Sequence, residues 1–306
     1  MNESLSYLSE HLEPVALELA REAAQLKPAT PQAEYLVGVA IRIVEAGWYR
    51  SAPPSAAPNA IEATLAWFRL VQRHLRRFVA GELAAEDIIR EGGGRLWAAF
   101  QSGEPFCAAF AAGVTRALHE RLAGKCVLEL GAGTGGTTRR LAPYLAQCQR
   151  FVLSDVSSKL LERTAAELRD VPLETALIDI DQIGDNVTGR FDVILATNCL
   201  HVAKDVCRTM TALRELLAPG GVLVLGEGSH YSERVPSPLC LVLALFDGWW
   251  NAPRSNWRPD PGFLSAAQWL EAYAAAGFAH ASAELWHDQR RSFGGVYWGF
   301  AGSPRH

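Results

Sequence analysis

No run of 18 or more apolar residues occurs in this chain of 306 residues, so no transmembrane helix is expected. The opening Met1-Asn2-Glu3-Ser4 lacks the basic-then-apolar order of a secretory leader, and a cytoplasmic protein is the expectation. Excess positive charge is also missing. Lys and Arg number 29 against 33 Asp and Glu, a formal net charge of −4, whereas general nucleic-acid binding needs a basic surface. A small molecule or a carried acyl group is the expected substrate. The six cysteines (107, 126, 148, 199, 207 and 240) form no CxxC pair and have no histidine at ligand spacing. No metal site is predicted, and the thiols read as small, reduced core hydrophobes.

What is present is apolar material for a core, 49% of residues, and too little charge, 20%, for a disordered chain. Two patterns divide it. Over 1–120 only helical periods occur, at about 5–26, 31–48, 60–80, 84–90 and 105–122, with a proline-rich loop at 50–58 and a flexible point at Gly92-Gly93-Gly94. Over 121–306 short apolar runs alternate with helical periods: strands at 126–129, 150–155, 173–180, 191–197 and 222–227, and helices at 135–145, 157–169 and 203–217. That alternation predicts an α/β fold with a mostly parallel sheet covered on both faces. An insert with few regular signals occupies 228–264. Ser265 then caps a helix that Gly277 stops, and two strands near 279–286 and 295–302 suit a closing antiparallel hairpin.

Between the first strand and its helix runs Glu129-Leu-Gly131-Ala-Gly133-Thr-Gly135-Gly136. Glycines allow the sharp turn and close backbone approach, and the helix start offers free N–H groups. Gly131, Gly133 and Gly136 also satisfy the GxGxxG spacing of dinucleotide sites, so a dehydrogenase is the rival reading. Glu129 argues against it, because a carboxylate there suits a ligand with a cationic amino-acid end rather than a pyrophosphate. Asp155 ends the second strand, where a carboxylate accepts ribose hydroxyls in either case. Asp179 ends the third, near the expected adenine amino group; taken alone, it reads equally well as a helix cap. Carboxylates at three successive strand ends resemble the class I methyltransferase pattern, which binds S-adenosylmethionine.

Thr197-Asn198-Cys199-Leu200-His201 follows the fourth strand, and Glu227 ends the fifth. Neighbouring strands would bring both side chains to one crevice. A histidine there removes a proton from an incoming nucleophile, and a carboxylate behind it fixes its tautomer.

These segments, with Leu216-Leu-Ala-Pro-Gly-Gly-Val-Leu-Val-Leu-Gly-Glu227, Phe246-Asp-Gly-Trp249-Trp250, Phe263-Leu-Ser265 and Trp269, make residues 95–302 resemble the methyltransferase domains of polyketide synthases. The resemblance implies a Rossmann-like core at 121–306 behind a helical N-terminal lid at 1–120, with S-adenosylmethionine as cofactor. It maps the cofactor acids onto Glu129, Asp155 and Asp179, beside Gly131, Gly133, Gly135 and Asn198, and a catalytic dyad onto His201 and Glu227. It also implies an acyl chain held as a thioester on an acyl carrier protein. Methylation of the α carbon of a β-ketoacyl chain and methylation of a hydroxyl oxygen both fit such a dyad. The lid favours carbon, and a cyclase or scaffold that no longer methylates is a distant third.

On the substrate side, Trp249, Trp250 and Trp257 share the insert with Arg254 and Arg258. The aromatics suit the wall of an acyl tunnel, and an arginine such as Arg258 suits a phosphopantetheine phosphate. Packing of the insert onto the core accounts for the tryptophans equally well. Arg69, Arg73, Arg76 and Arg77 share one helical face, for which a solvated surface is a stronger reading than a carrier-docking patch.

Overall fold

The computed structural model describes residues 8–49, 61–103, 105–183, 187, 189–287 and 291–302, so the expected loop at 50–58 lies outside the described residues. Seven strands form one sheet: β1 (Cys126–Leu130), β2 (Arg150–Asp155), β3 (Glu174–Leu177), β4 (Phe191–Thr197), β5 (Leu217–Gly228), β6 (Ala279–His287) and β7 (Ser292–Phe300). Their order is β3-β2-β1-β4-β5-β7-β6. The first five are parallel, and β7 runs antiparallel to both β5 and β6. The chain leaves β1 toward β2 and β3, then crosses back to β4 and β5. The reversal opens a crevice at the carboxyl ends of β1 and β4, where open sheets of this kind bind ligands.

Ten α-helices are described: α1 (Glu13–Ala23), α2 (Pro31–Ala46), α3 (Glu62–Val79), α4 (Ala85–Gly103), α5 (Pro105–Leu118), α6 (Gly136–Leu145), α7 (Ser158–Glu167), α8 (Val206–Leu216), α9 (Cys240–Leu243) and α10 (Ala266–Ala275). Local chemistry fixes several starts. The Thr30 hydroxyl accepts from Ala33 N ahead of Pro31, the Asp205 carboxylate caps α8, and Ser265 forms a reciprocal capping box with Gln268.

Strand side chains alternate between two cores. Val127, Leu153, Val193, Leu195 and Val224 join one cluster with α1 to α5 and the insert. Leu128, Leu130, Ile194, Leu223 and Leu225 join another with α8 and α10. Among the described residues no helix is long and apolar enough to cross a membrane.

Several expected boundaries move. The helix at 84–90 continues to Gly103 after one non-helical residue, Gly93 (φ 67°), because Phe100 beyond it is buried. Strand β3 stops at Leu177 because Asp179 starts a single 3-10 turn, Ile180–Gln182. Strand β7 begins at Ser292, pairing as far as Gly228 of β5 through Gly294. Helix α5, grouped by the sequence with the N-terminal lid, lies directly on the sheet. A Cβ at Gly226 of β5 would come within 2.7 Å of Val114, so a glycine there lets helix and strand approach.

Candidate functional site

Glu129 leaves the end of β1 almost fully buried, 2% exposed. Thr138, in the first turn of α6, donates to its Oε2 at 2.8 Å. Burial pushes the carboxyl up to about 7, with the Thr138 hydroxyl and the Arg139 guanidinium pulling the other way. A carboxylate so desolvated is poised for a cationic partner. The loop that follows takes positive φ at Gly131 (60°), Gly133 (54°) and Gly135 (76°). At Gly131 a Cβ would lie 2.3 Å from Cys199 Sγ, so the loop rests directly on the turn after β4. Asp155, at the end of β2, accepts from Gly133 N at 2.8 Å and from Ser157 N at 2.9 Å, which fixes the loop from the other side.

Glu129 and the loop bound a cavity of about 340 Å³ lined by Glu129, Gly131, Gly133, Thr197, Asn198 and the α5 residues Cys107, Ala108 and Ala111; Asp155 and Gly135 do not line it. A buried carboxylate at one end, a glycine loop and a helix start suit the amino-acid end and sulfonium of S-adenosylmethionine. Asp155 is 7% exposed and keeps acceptor capacity beside the loop. Asp179 likewise accepts two hydrogen bonds and keeps acceptor capacity. Both its oxygens serve the 3-10 turn, accepting from Asp181 N at 2.9 Å and from Gln182 Nε2 at 3.2 Å, which is the cap role.

A second cavity of about 260 Å³ adjoins the first, and both are lined by Cys107 and Asn198. Its walls are Phe100, Phe106, Leu239, Leu243, Phe246, Trp249 and Phe263, with His201 and Asn198 as the polar groups. Asn198 has φ 48°, and its Oδ1 is buried without a protein partner. His201 Nδ1 lies 2.9 Å from Glu227 Oε2. Glu227 is 0% exposed and also accepts from Cys199 N (2.9 Å) and Leu200 N (2.8 Å) through Oε1. With Nδ1 committed to a carboxylate, Nε2 is the nitrogen left to act on a ligand in the cavity. The ring lies 5.2 Å from Phe263 and 6.0 Å from Trp249.

The structure thus places Glu129, Gly131, Gly133, Asn198, His201 and Trp249 in the walls of two joined cavities, while Glu227 is bonded to the His201 ring and Asp155 to the glycine loop, neither of them lining a cavity. Two residues assigned to substrate lie elsewhere. Trp250 packs edge-on against Tyr35 of α2 at 5.1 Å and donates Nε1 to Ala244 O at 2.9 Å, joining insert to helices. Arg258 is 4% exposed, and its guanidinium donates to the carbonyls of His201, Ala203 and Gly262 rather than facing a phosphate. Arg69, Arg73 and Arg76 pair on the surface with Glu62, Glu91 and Glu22. Among the described residues no group of three or more His, Cys, Asp or Glu is arranged to hold a metal. Sequence reasoning passed over Thr138 and the cavity face of α5. The signals for them are a hydroxyl in the first turn after the glycine loop and small residues at helical spacing (107, 108, 111).

Residues 128–223 match the family described as Methyltransferase domain. The chain is 37% identical over 162 residues to the non-reducing polyketide synthase esdpA of Penicillium shearii. It is 31% identical over 167 residues to the highly reducing polyketide synthase lcsB of Purpureocillium lilacinum. These alignments take in 50% and 51% of the chain but 7% and 6% of the synthases, so the chain matches less than a tenth of those relatives' length. Among solved structures it resembles CurJ carbon methyltransferase (TM-score 0.76, 21% identity), over 99% of this chain and 94% of the other. The CMeT domain of the citrinin polyketide synthase gives a TM-score of 0.77 at 17% identity, over 98% and 92%. The trans-methyltransferase CalH, solved with SAH, gives 0.71 at 18%, over 97% and 90%. At these identities the likeness is one of fold, and it runs through the N-terminal helices as well as the sheet.

Proposed function

We propose that residues 128–223, which match the family described as Methyltransferase domain, are the core of an S-adenosylmethionine-dependent methyltransferase that methylates the α carbon of a β-ketoacyl chain held as a thioester on an acyl carrier protein. The observation that carries this reading is the His201–Glu227 pair at 2.9 Å in the wall of an apolar cavity that joins the cofactor cavity. The substrates and partners of the relatives belong to much longer synthases, and the carrier comes to this chain as part of the proposal.

The cofactor supplies an electrophilic methyl on a sulfonium. Glu129 would hold its ammonium, and the glycine loop and Asn198, which line the same cavity, would bound it. Phe106, Leu243, Phe246, Trp249 and Phe263 exclude water from the acyl chain. A proton on the carbon between ketone and thioester is acidic enough for a neutral imidazole to take it. It passes to His201 Nε2 while Glu227 holds Nδ1–H and stabilises the imidazolium. A bound cofactor would supply the methyl to the carbanion's electron pair, its carbon–sulfur pair staying with sulfur as a neutral thioether. In-line placement at the junction of the cavities supplies the remaining advantage.

The test is incubation with S-adenosylmethionine and a β-ketoacyl or a β-hydroxyacyl thioester on a carrier, followed by mass and NMR analysis of the released acyl group. A single new C-methyl on the β-ketoacyl chain is expected. An O-methyl product from the hydroxyacyl chain would replace carbon with oxygen as acceptor. Methylation of the free acid faster than of the thioester would remove the carrier from the reading.

A further inference from the structure

The loop that carries His201 is one 3-10 turn, Leu200–Val202, following Asn198 in a left-handed conformation. So short a turn holds few hydrogen bonds of its own. Its amide side is fixed by Glu227, which takes Cys199 N, Leu200 N and the His201 ring. Its carbonyl side is fixed by Arg258, with Nη1 donating to Ala203 O at 3.0 Å and Nη2 to His201 O. Nη2 also donates to Gly262 O at 2.6 Å. Gly262 precedes Phe263, whose ring lies 5.2 Å from His201 and lines the apolar cavity. The same guanidinium therefore joins the turn bearing the base to the segment bearing the cavity wall.

We propose that Arg258 is a positioning residue that clamps the insert to the His201 turn, so that the base and the wall of the acyl cavity are set in one register. This inference rests on the reading of His201 as base, and it deepens that reading. A planar fork of donors suits three carbonyls converging from two segments, which a lysine ammonium on a flexible stem reproduces only in part. Its burial explains why it does not serve a phosphate: the side chain is 4% exposed and committed inward. Gly262 takes φ 81°, and a Cβ there would fall 2.0 Å from Trp249, so the clamped segment is seated hard against the indole of the same wall.

Two measurements test the clamp. The first needs no acceptor: the His201 Nδ1–H resonance, recognised by its absence in His201→Ala, is followed by ¹⁵N-edited NMR. In the unaltered chain it is slowly exchanging, and in Arg258→Ala it broadens or disappears. The second is kinetics: kcat falls about 10²-fold with cofactor affinity within about 2-fold, and added guanidinium restores about 10-fold of that loss. Should Arg258→Ala fail to fold, Arg258→Lys decides, with an intermediate loss of both resonance and kcat expected. An unchanged resonance and kcat in a folded variant overturns the clamp. So does a loss of cofactor affinity equal to the loss of kcat, which marks a merely structural residue. A resonance that depends on Arg258 in a protein that methylates none of the thioesters keeps the clamp and sinks the proposed reaction instead.

Discussion

Glu129 and the Glu227–His201 pair are both buried, and they differ in what they have been given. Glu227 accepts two backbone N–H groups and an imidazole, whereas Glu129 accepts one hydroxyl. With its carboxyl raised from an ordinary 4.5 to about 7, Glu129 favours the protonated form when no cation faces it. The sign follows: the unliganded protein has this contribution in full below about 4.5 and loses it as pH rises to about 7, a change of about 3 kcal/mol. Glu129→Gln is expected to flatten that part of the pH dependence of denaturant unfolding while abolishing measurable cofactor binding. Ionisation favours a bound ammonium, so cofactor affinity should climb with pH up to about 7 and then level off. Proton release seen by calorimetry in two buffers of different ionisation enthalpy checks it, and identical heats at pH 6 would count against it. For the dyad, Glu227→Gln should lower kcat by about 10²–10³ with cofactor affinity nearly unchanged, because the imidazolium loses its counter-charge. Equal losses in kcat and cofactor affinity would instead mean that the turn had collapsed. Glu129, Asp155 and Glu227 were legible because each stands at a strand end, and His201 because it lies in the short turn just after β4, where the chain must face the crevice. Arg258 was not, since nothing in its local sequence says that three carbonyls from distant segments will converge on it. Asp179 was legible as either a cap or a cofactor acid, and its Oδ1 does accept from Asp181 N as a cap does.

At the scale of elements, periodicity located strands β1, β2 and β4 to within about a residue because each is apolar on both faces, as a central parallel strand must be. The hairpin was harder. In β6 burial alternates, but its partner β7 opens with Ser292-Phe293-Gly294-Gly295, with two glycines whose importance is contextual. Gly294 takes φ 110°, and a Cβ there would lie 2.1 Å from Glu227 O, which is backbone and has nowhere to move. Gly294 also pairs with Gly228, so it sits where β7 covers the very end of β5. Gly294→Ala should therefore cost about 2–4 kcal/mol and displace Glu227 as well. Chemical denaturation measures the first effect, and the His201 Nδ1–H resonance reads the second. A variant that melts within a degree or two of the parent with its turnover intact would show that the hairpin tolerates the side chain and that the dyad does not depend on this contact.

Over the whole molecule, the sequence suggested a lid at 1–120 and a core at 121–306, but the packing links them through the insert. Trp67 of α3 meets Phe246 at 5.7 Å, Tyr35 meets Trp250 at 5.1 Å, and Tyr49 donates to Pro236 O at 2.7 Å. Arg42 of α2 pairs with Asp260 at 2.6 Å. The first hydrophobic cluster runs without a break from Leu12 through the insert to Val296. None of this is visible in local periodicity, because the contacts join residues about two hundred positions apart, and an insert lacking regular signals reads as a loop until its partner is known. The consequence is a dependence that a hinged lid would not have. A chain beginning at residue 105 would uncover Leu239, Val242, Leu243, Phe246, Trp249 and Trp250 together. Burial of each such side chain contributes about 1.5–3 kcal/mol, so even half of that sum rivals the 5–15 kcal/mol by which a domain is stable. The shortened chain is expected to lose its insert before its sheet: limited proteolysis should cut within 229–264 while 126–228 stays protected, and cofactor should still bind weakly through Glu129 and the glycine loop. The apolar cavity, walled by Phe100 from one side and by the insert from the other, should be gone, and turnover with it. A shortened chain that unfolds in one cooperative step at the parent's temperature would show instead that the insert and sheet form a complete unit to which α1–α4 are merely attached.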